Sequence, residues 1–266
     1  MLRSIRSEVR KVATTRIWWI LAIILFGYVA LVAAGMAALF ATITDQAEGQ
    51  AIPTESIPAL VYSVATAIGY VIPLLFGALA TTGEFRHQTL TPTFLATPKR
   101  SVVLGGKVVT GALFGVVYAV LALAGSVGLG AIVLSATGTD TLLGEGDTWA
   151  LFGRIVIAMV LWVIIGIGLG VLIPNQVAVI VIVLAFTQFV EPLLRTAAAF
   201  WEWTAAVGRF LPGAAGDALV GSSIYTAFTA GTADPLEWWQ GGLVLGAYAA
   251  LFLVAGALTT WRRDVT

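Results

Sequence analysis

The sequence predicts an all-α membrane protein with six transmembrane helices, an N-terminal amphipathic interfacial helix, and re-entrant half-helices before the last span. Three observations carry this prediction. Hydrophobic residues make up 59 % of the 266 positions and the mean hydropathy is +0.97. Charged residues fall to 11 %, against about 25 % in soluble domains. Apolar runs long enough to cross a bilayer, about 20 residues each, recur six times. They use up most of the chain as one domain, 1–266, and leave no room for a separate soluble catalytic domain.

In chain order, residues 1–16 come first. Leu2, Ile5, Val9 and Val12 recur at helical spacing, with Arg3, Arg6, Arg10 and Lys11 on the other face. That is the pattern of a helix lying in the membrane interface rather than of a frayed tail. The apolar run over 17–41 is too long for the h-region of a cleaved signal peptide, about 7–15 residues, and reads as a retained first span. Further runs over 57–80, 108–135, 149–173, 176–197 and 238–260 complete the six. Pro73 predicts a kink in the second span, and Pro174 a corner between the fourth and fifth. Gly111 with Gly115, Gly166 with Gly170, and Gly242 with Gly246 stand at the spacing that lets helix backbones approach closely, and they predict packing within the chain.

Charge fixes the expected topology. With the N-terminus inside, all but three of the 14 basic residues are cytoplasmic, the exceptions being Arg154, Arg195 and Arg209. Most acids fall outside, while Glu8, Glu84 and Asp264 remain inside. The positive-inside rule therefore predicts a multi-pass protein of the cytoplasmic membrane with both termini cytoplasmic. The segment 198–237 is studded with aromatic residues between glycines, prolines and acids. It is expected to dip into the outer leaflet, where irregular backbone is tolerated only against protein or a wet cavity.

Composition also removes chemistries. With no cysteine, disulfides, thiolate metal sites and cysteine nucleophiles are excluded. One histidine, His87, cannot form a His-rich metal site within one chain. No catalytic or metal-binding residues and no nucleic-acid partner are expected. Gly105-Gly106-Lys107 superficially matches the end of a P-loop, but Ser101 replaces the required glycine and Val108 the Ser/Thr that contacts magnesium. The chain carries no cofactor of its own on this reading, and ATP with Mg would be bound by another subunit. Within the membrane, Glu191 and Arg195 stand at i and i+4 and are expected to pair as an anchor near the outer interface. Thr187 and Gln188, one turn inward, are candidates either for interhelical hydrogen bonds or, with Glu191, for a translocation path.

The polar, cationic stretch 81–107 lies between the second and third runs and has the character of a contact surface. Its run Gly83-Glu84-Phe85-Arg86-His87-Gln88-Thr89, followed by Leu95-Ala96-Thr97-Pro98-Lys99-Arg100 and Lys107, resembles the first cytoplasmic loop of ABC-2 type transporter permeases. Phe210-Leu211-Pro212-Gly213 resembles the segment before that family's last span, and Trp261-Arg262-Arg263-Asp264 its C-terminal end. Gln88 stands where the family commonly has glycine, which bears on the turn geometry there.

The resemblance implies the membrane subunit of an ATP-driven exporter, not itself an ATPase. It implies a cytoplasmic ATP-binding cassette partner, a second permease subunit, identical or related, and surrounding lipid. It makes Glu84, Phe85, Arg86, His87, Thr89, Phe94, Leu95, Pro98 and Arg100 the expected ATPase-coupling residues, with Phe94 and Leu95 as apolar plugs. The expected cargo is hydrophobic, amphipathic or peptide-like, with drug or antibiotic efflux as a purpose. An ion- or cofactor-related exporter is the alternative, and a membrane-embedded enzyme, an assembly factor or a proton-driven carrier is less favoured.

Overall fold

A computed structural model describes residues 2–46, 53–198, 202–223 and 236–261. All regular structure among them is helical, and six helical segments are long and apolar enough to cross a membrane: Ile17–Thr42, Thr54–Arg86, Arg100–Ala136, Gly146–Leu172, Gln176–Ala197 and Trp238–Thr259. The six spans read from hydropathy are therefore present. The N-terminal helix α1 (Leu2–Thr14) leads through Thr15 and Arg16 into α2 (Ile17–Gln46), the first span.

The second span is broken into a 3-10 turn (Thr54–Ser56), α3 (Ile57–Ala67) and α4 (Val71–Arg86). The break has a local cause. Pro73 has no N–H to give the Gly69 carbonyl, and the Ile72 amide takes that acceptor instead at 3.2 Å. At Gly69 a Cβ would stand 2.2 Å from the Ala65 carbonyl and against Leu25 and Val29, so the first span closes on the break where only glycine fits.

The third span, α6 (Arg100–Ala136), has 37 residues. At 1.5 Å per residue it is about 55 Å long, against a hydrocarbon core of about 30 Å. Much of the predicted 81–107 loop is thus helix: α4 runs on to Arg86 and α6 begins at Arg100, leaving the short α5 (Leu90–Ala96) between two non-helical links. Gln88, in the first link, has φ +52°. Gln88 thus occupies the left-handed region that glycine favours.

The fourth span, α7 (Gly146–Leu172), ends at the Pro174 corner, after which the Asn175 side chain accepts the Ala178 amide at 3.0 Å and caps α8 (Gln176–Ala185). The fifth span continues through a π-turn (Phe186–Val190) into α9 (Glu191–Ala198). The π-turn ends two residues before Pro192, whose missing N–H cannot serve the α-ladder. Two short helices, α10 (Glu202–Gly208) and α11 (Pro212–Val220), precede the sixth span, α12 (Trp238–Thr259). Short helical pieces thus stand where half-helices were expected. α11 is buried against α3, α7 and α12. Phe200, Trp201, Ile224, Tyr225 and Phe228 of that segment, and Arg262, Arg263 and Asp264, lie outside the described residues.

The core is the packing of α7 with α4, α6 and α12, flanked by α2 on α6. At the α4–α7 seam a Cβ on Gly77 would be 2.1 Å from the Val163 carbonyl, and one on Gly166 would be 2.0 Å from that of Leu74. Gly170, Gly111 and Gly115 also face close neighbours, as the spacing suggested, whereas Gly246 has open space around it. The link between α6 and α7 is tied to the second span by Tyr62, whose hydroxyl donates to the Thr141 carbonyl at 2.9 Å.

Candidate functional site

At the end of the bundle that carries α5, four charged side chains close a ring. Lys11 Nζ lies 2.7 Å from Glu8 Oε1 and 3.0 Å from Glu84 Oε1. Lys107 Nζ lies 2.7 Å from Glu8 Oε2 and 2.7 Å from Glu84 Oε2. Two carboxylates and two ammonium groups alternate, so the ring is neutral and each charge has two opposite partners to offset the cost of its desolvation. Lys107 is almost completely buried, while about a third of the Lys11 side chain is exposed. The ring joins three helices. Lys11 adds a fourth through a 3.1 Å hydrogen bond to Thr93 Oγ1 of α5.

The fold brings these residues together by keeping α1 and α2 beside α6 in one direction. Ser4 Oγ donates to the Val102 carbonyl, Glu8 meets Lys107, and Tyr118 donates to the Trp18 carbonyl. Burial works to raise the Glu8 carboxyl, but Lys107 and Lys11 outweigh it and hold the group below its ordinary range. Burial likewise works to lower the Lys11 ammonium, but Glu8 and Glu84 hold it above its ordinary value. Beside the ring, Glu8, Lys107, Thr81 and Thr110 help line a cavity of about 20 Å³, room for about one water. Thr110 Oγ1 is buried there with no hydrogen-bond partner among the described residues.

Of the apolar residues spaced along α1, Ile5, Val9 and Val12 are half-buried, Val12 against the core, while Arg6 and Arg10 are exposed. Leu2 is 84 % exposed, Glu8 is buried and Lys11 is turned inward. Glu8 and Lys11 face inward because Lys107 and the Glu84 carboxylate meet them there.

The expected coupling residues divide into two sets. Arg86, His87, Thr89, Leu95 and Pro98 are exposed, Leu95 at 80 %. Arg86 reaches the Gln176 side chain at 3.4 Å. Glu84 is buried in the ring and presents nothing to a partner. Phe85, Phe94 and Arg100 are half-buried and turned toward Trp261, so of the two apolar plugs only Leu95 projects outward.

A second charge cluster lies at the opposite end. Glu191 pairs with Arg195 on α9 as the i, i+4 spacing predicted, at 3.1 Å, and Arg195 Nη1 continues to Asp217 Oδ2 of α11 at 2.6 Å. Glu191 Oε1 also accepts the amides of Gly213 at 2.6 Å and Ala214 at 3.2 Å, the first free donors of α11. A surface anchor would leave the pair wet. Here Glu191 is 2 % exposed, and the pair instead joins two helices. Gly213 is required for this approach, since a Cβ there would lie 2.4 Å from Glu191 Oε1 and Arg195 Nη2.

Asp217 carried no signal in the sequence, being one acid in an Ala/Gly-rich stretch 22 residues from its partner. Of the other path candidates, Thr187 is buried, with its hydroxyl on the Val183 carbonyl. Gln188 is exposed beside Phe189, itself 75 % exposed, with its amide 3.4 Å from Thr187 Oγ1. Thr187, Gln188 and Glu191 do not converge on one site.

No protein-family model matches the chain, and no curated protein matches it either.

Proposed function

We propose that this chain is the permease subunit of an ATP-driven ABC-2 type exporter, one half of a paired membrane domain driven by a separate cytoplasmic ATPase. The single observation that carries the reading is α5, a short helix with one face braced against the bundle and Leu95 projecting 80 % exposed from the other. An apolar knob on a braced helix suits docking into a cleft of a partner protein and transmits displacement rather than absorbing it. The ordered resemblance of 83–107, 210–213 and 261–264 to ABC-2 permeases supports the same reading. On it, the α5 end faces the cytoplasm, in agreement with the basic residues gathered there.

Displacement of α5 reaches α1, α4 and α6 through Lys11 and the charge ring. Gln188 supports a transport role for the fifth span. Its amide sits mid-span on an exposed, otherwise apolar face, and in contact with lipid it would be costly. Its one hydrogen bond among the described residues is the long contact to Thr187 Oγ1, and a wet path or a second subunit would supply the rest. The cargo class that fits such an apolar bundle is hydrophobic, amphipathic or peptide-like, and compounds of the drug and antibiotic type belong to it.

The test is co-purification of the full chain with an ATP-binding cassette subunit encoded beside it, together with Leu95→Asp. The variant is expected to insert normally, to lose the ATPase from the complex, and to abolish stimulation of ATP hydrolysis. Retention of the ATPase by Leu95→Asp refutes the docking role of α5, and transport without any ATPase refutes the exporter reading.

A further inference from the structure

Both ends of the described chain converge on α5, and they hold it unequally. From the N-terminal side the hold is one hydrogen bond, Lys11 to Thr93. From the C-terminal side it is Trp261, two residues beyond α12 and 4 % exposed. Its indole N–H donates to the Arg100 carbonyl at 3.1 Å, while Arg100 Nη1 donates to the Trp261 carbonyl at 2.9 Å. The indole meets Phe94 edge-on, with centroids 5.4 Å apart and planes at 90°, and Phe85 at 6.1 Å. The Arg100 guanidinium also packs on Phe94, 4.9 Å from its centroid. Phe94 is thereby clamped by an indole and a cation, two contacts favourable to an aromatic ring.

Trp261 is itself fixed to the sixth and fourth spans. Its amide donates to the Gly256 carbonyl at 3.0 Å, and the neighbouring Thr260 hydroxyl donates to that of Leu172 at 3.2 Å.

From this geometry we infer that Trp261 is a positioning residue that sets the pose of α5, making the end of the sixth span an integral part of the candidate coupling surface. What the pose is for rests on the exporter reading; the latch does not. Two directional hydrogen bonds lock Trp261 to Arg100, and one ring contact from each of these residues then orients Phe94, from which Leu95, the next residue, takes its outward direction. A partner engaging Leu95 therefore acts on the sixth span as well as on the α1–α4–α6 ring.

The test is hydrogen–deuterium exchange on the purified full chain in lipid nanodiscs with no ATPase present, comparing wild type with Trp261→Ala, Trp261→Phe and Trp149→Ala. Trp261→Ala is expected to speed amide exchange across 90–97 by about two- to tenfold, the factor that corresponds to an aromatic contact of this kind. Exchange in the middle of α4 and α7 stays at the wild-type rate. Trp261→Phe keeps a ring against Phe94 but loses the N–H donor, and gives an intermediate rate. Trp149→Ala, at the other end of the bundle, leaves α5 unchanged. Unchanged exchange across 90–97 in Trp261→Ala overturns the inference, as does an equal rise in α4 and α7, which marks a general packing role. With no ATPase in the experiment, failure of the latch leaves the exporter reading standing, and absence of a partner ATPase leaves the latch standing.

Discussion

Replacing Lys107 by Met removes one of two cations from a ring that also holds two carboxylates. Lys107 is the residue to perturb because its side chain is 4 % exposed and touches both Glu8 and Glu84 at 2.7 Å, whereas Lys11 is 34 % exposed and partly hydrated. Without Lys107, two buried carboxylates share the single Lys11. Leaving a buried charge uncompensated costs about 3–5 kcal/mol. The residual hold of Lys11 places the expected loss near the low end, about 3 kcal/mol. Lys11→Met, at the wetter corner, is expected to cost only about 1 kcal/mol.

The assay is unfolding in mixed dodecylmaltoside–SDS micelles followed by tryptophan fluorescence. The decisive comparison is the double variant Lys107→Met/Glu84→Gln, which restores neutrality as a Glu8–Lys11 pair and is expected to recover more than half of the loss. The cycle isolates charge from lost packing. A Lys107→Met protein within about 0.5 kcal/mol of wild type, or a double variant less stable than the single one, refutes the argument that ring neutrality holds α1 in place.

Four further outcomes are expected. Docking of α1, read by exchange of its amides, should be constant from about pH 4.3 to about pH 10.4, the ordinary carboxyl and ammonium values. The depressed Glu8 group loses its contribution as pH falls through its folded value, and the raised Lys11 group as pH rises through its own; release of α1 near neutrality would contradict both. Gln88→Gly should stabilise by about 0.5 kcal/mol, the left-handed strain relieved being partly offset by glycine's greater unfolded entropy; a destabilised variant by the same micellar assay would show that the +52° backbone angle carries no strain. Gly166→Ala, whose Cβ meets the Leu74 carbonyl, should cost about 3 kcal/mol or more, while Gly27→Ala, with open space around it, should be neutral or slightly stabilising. Arg195→Gln, which strands Glu191 and Asp217, should cost about 3–5 kcal/mol, and Asp217→Asn, which leaves a neutral Glu191–Arg195 pair, about 1–2 kcal/mol; equal losses in the two would mean that charge balance does not govern this cluster.

The six spans were legible because hydropathy integrates over some twenty residues and no tertiary contact is needed to read it. The kink before Pro73 and the corner at Pro174 were legible for a related reason, since a missing N–H acts locally. The spacing of Glu191 and Arg195 announced their pair. What distance in the chain hides is the remainder. Glu8 and Lys107 are 99 residues apart, and nothing in either neighbourhood marks them as partners. Glu84 looked like a contact residue because it lies in a polar stretch, and its burial depends on where α1 stands. Gly77 was silent because its counterpart, Val163, lies on another helix. The inward turn of Lys11 also runs against the amphipathic pattern of α1, because a buried charge on a neighbouring helix outweighs local periodicity.

The glycine seam between α4 and α7 bears on which parts of the molecule can move. With Gly77 on one helix and Gly166 and Gly170 on the other, main chain closely approaches main chain over about two turns. Such a contact has few alternative arrangements, so the second and fourth spans resist sliding past one another. The fifth span is fastened differently. It packs mainly on α4, its middle is a π-turn, and its far end is tethered to α11 by three charged side chains. An element fastened at such discrete points can be displaced with less loss of packing than the second or fourth span, the Pro174 corner and the Glu191–Arg195–Asp217 tether being the two places that would have to give.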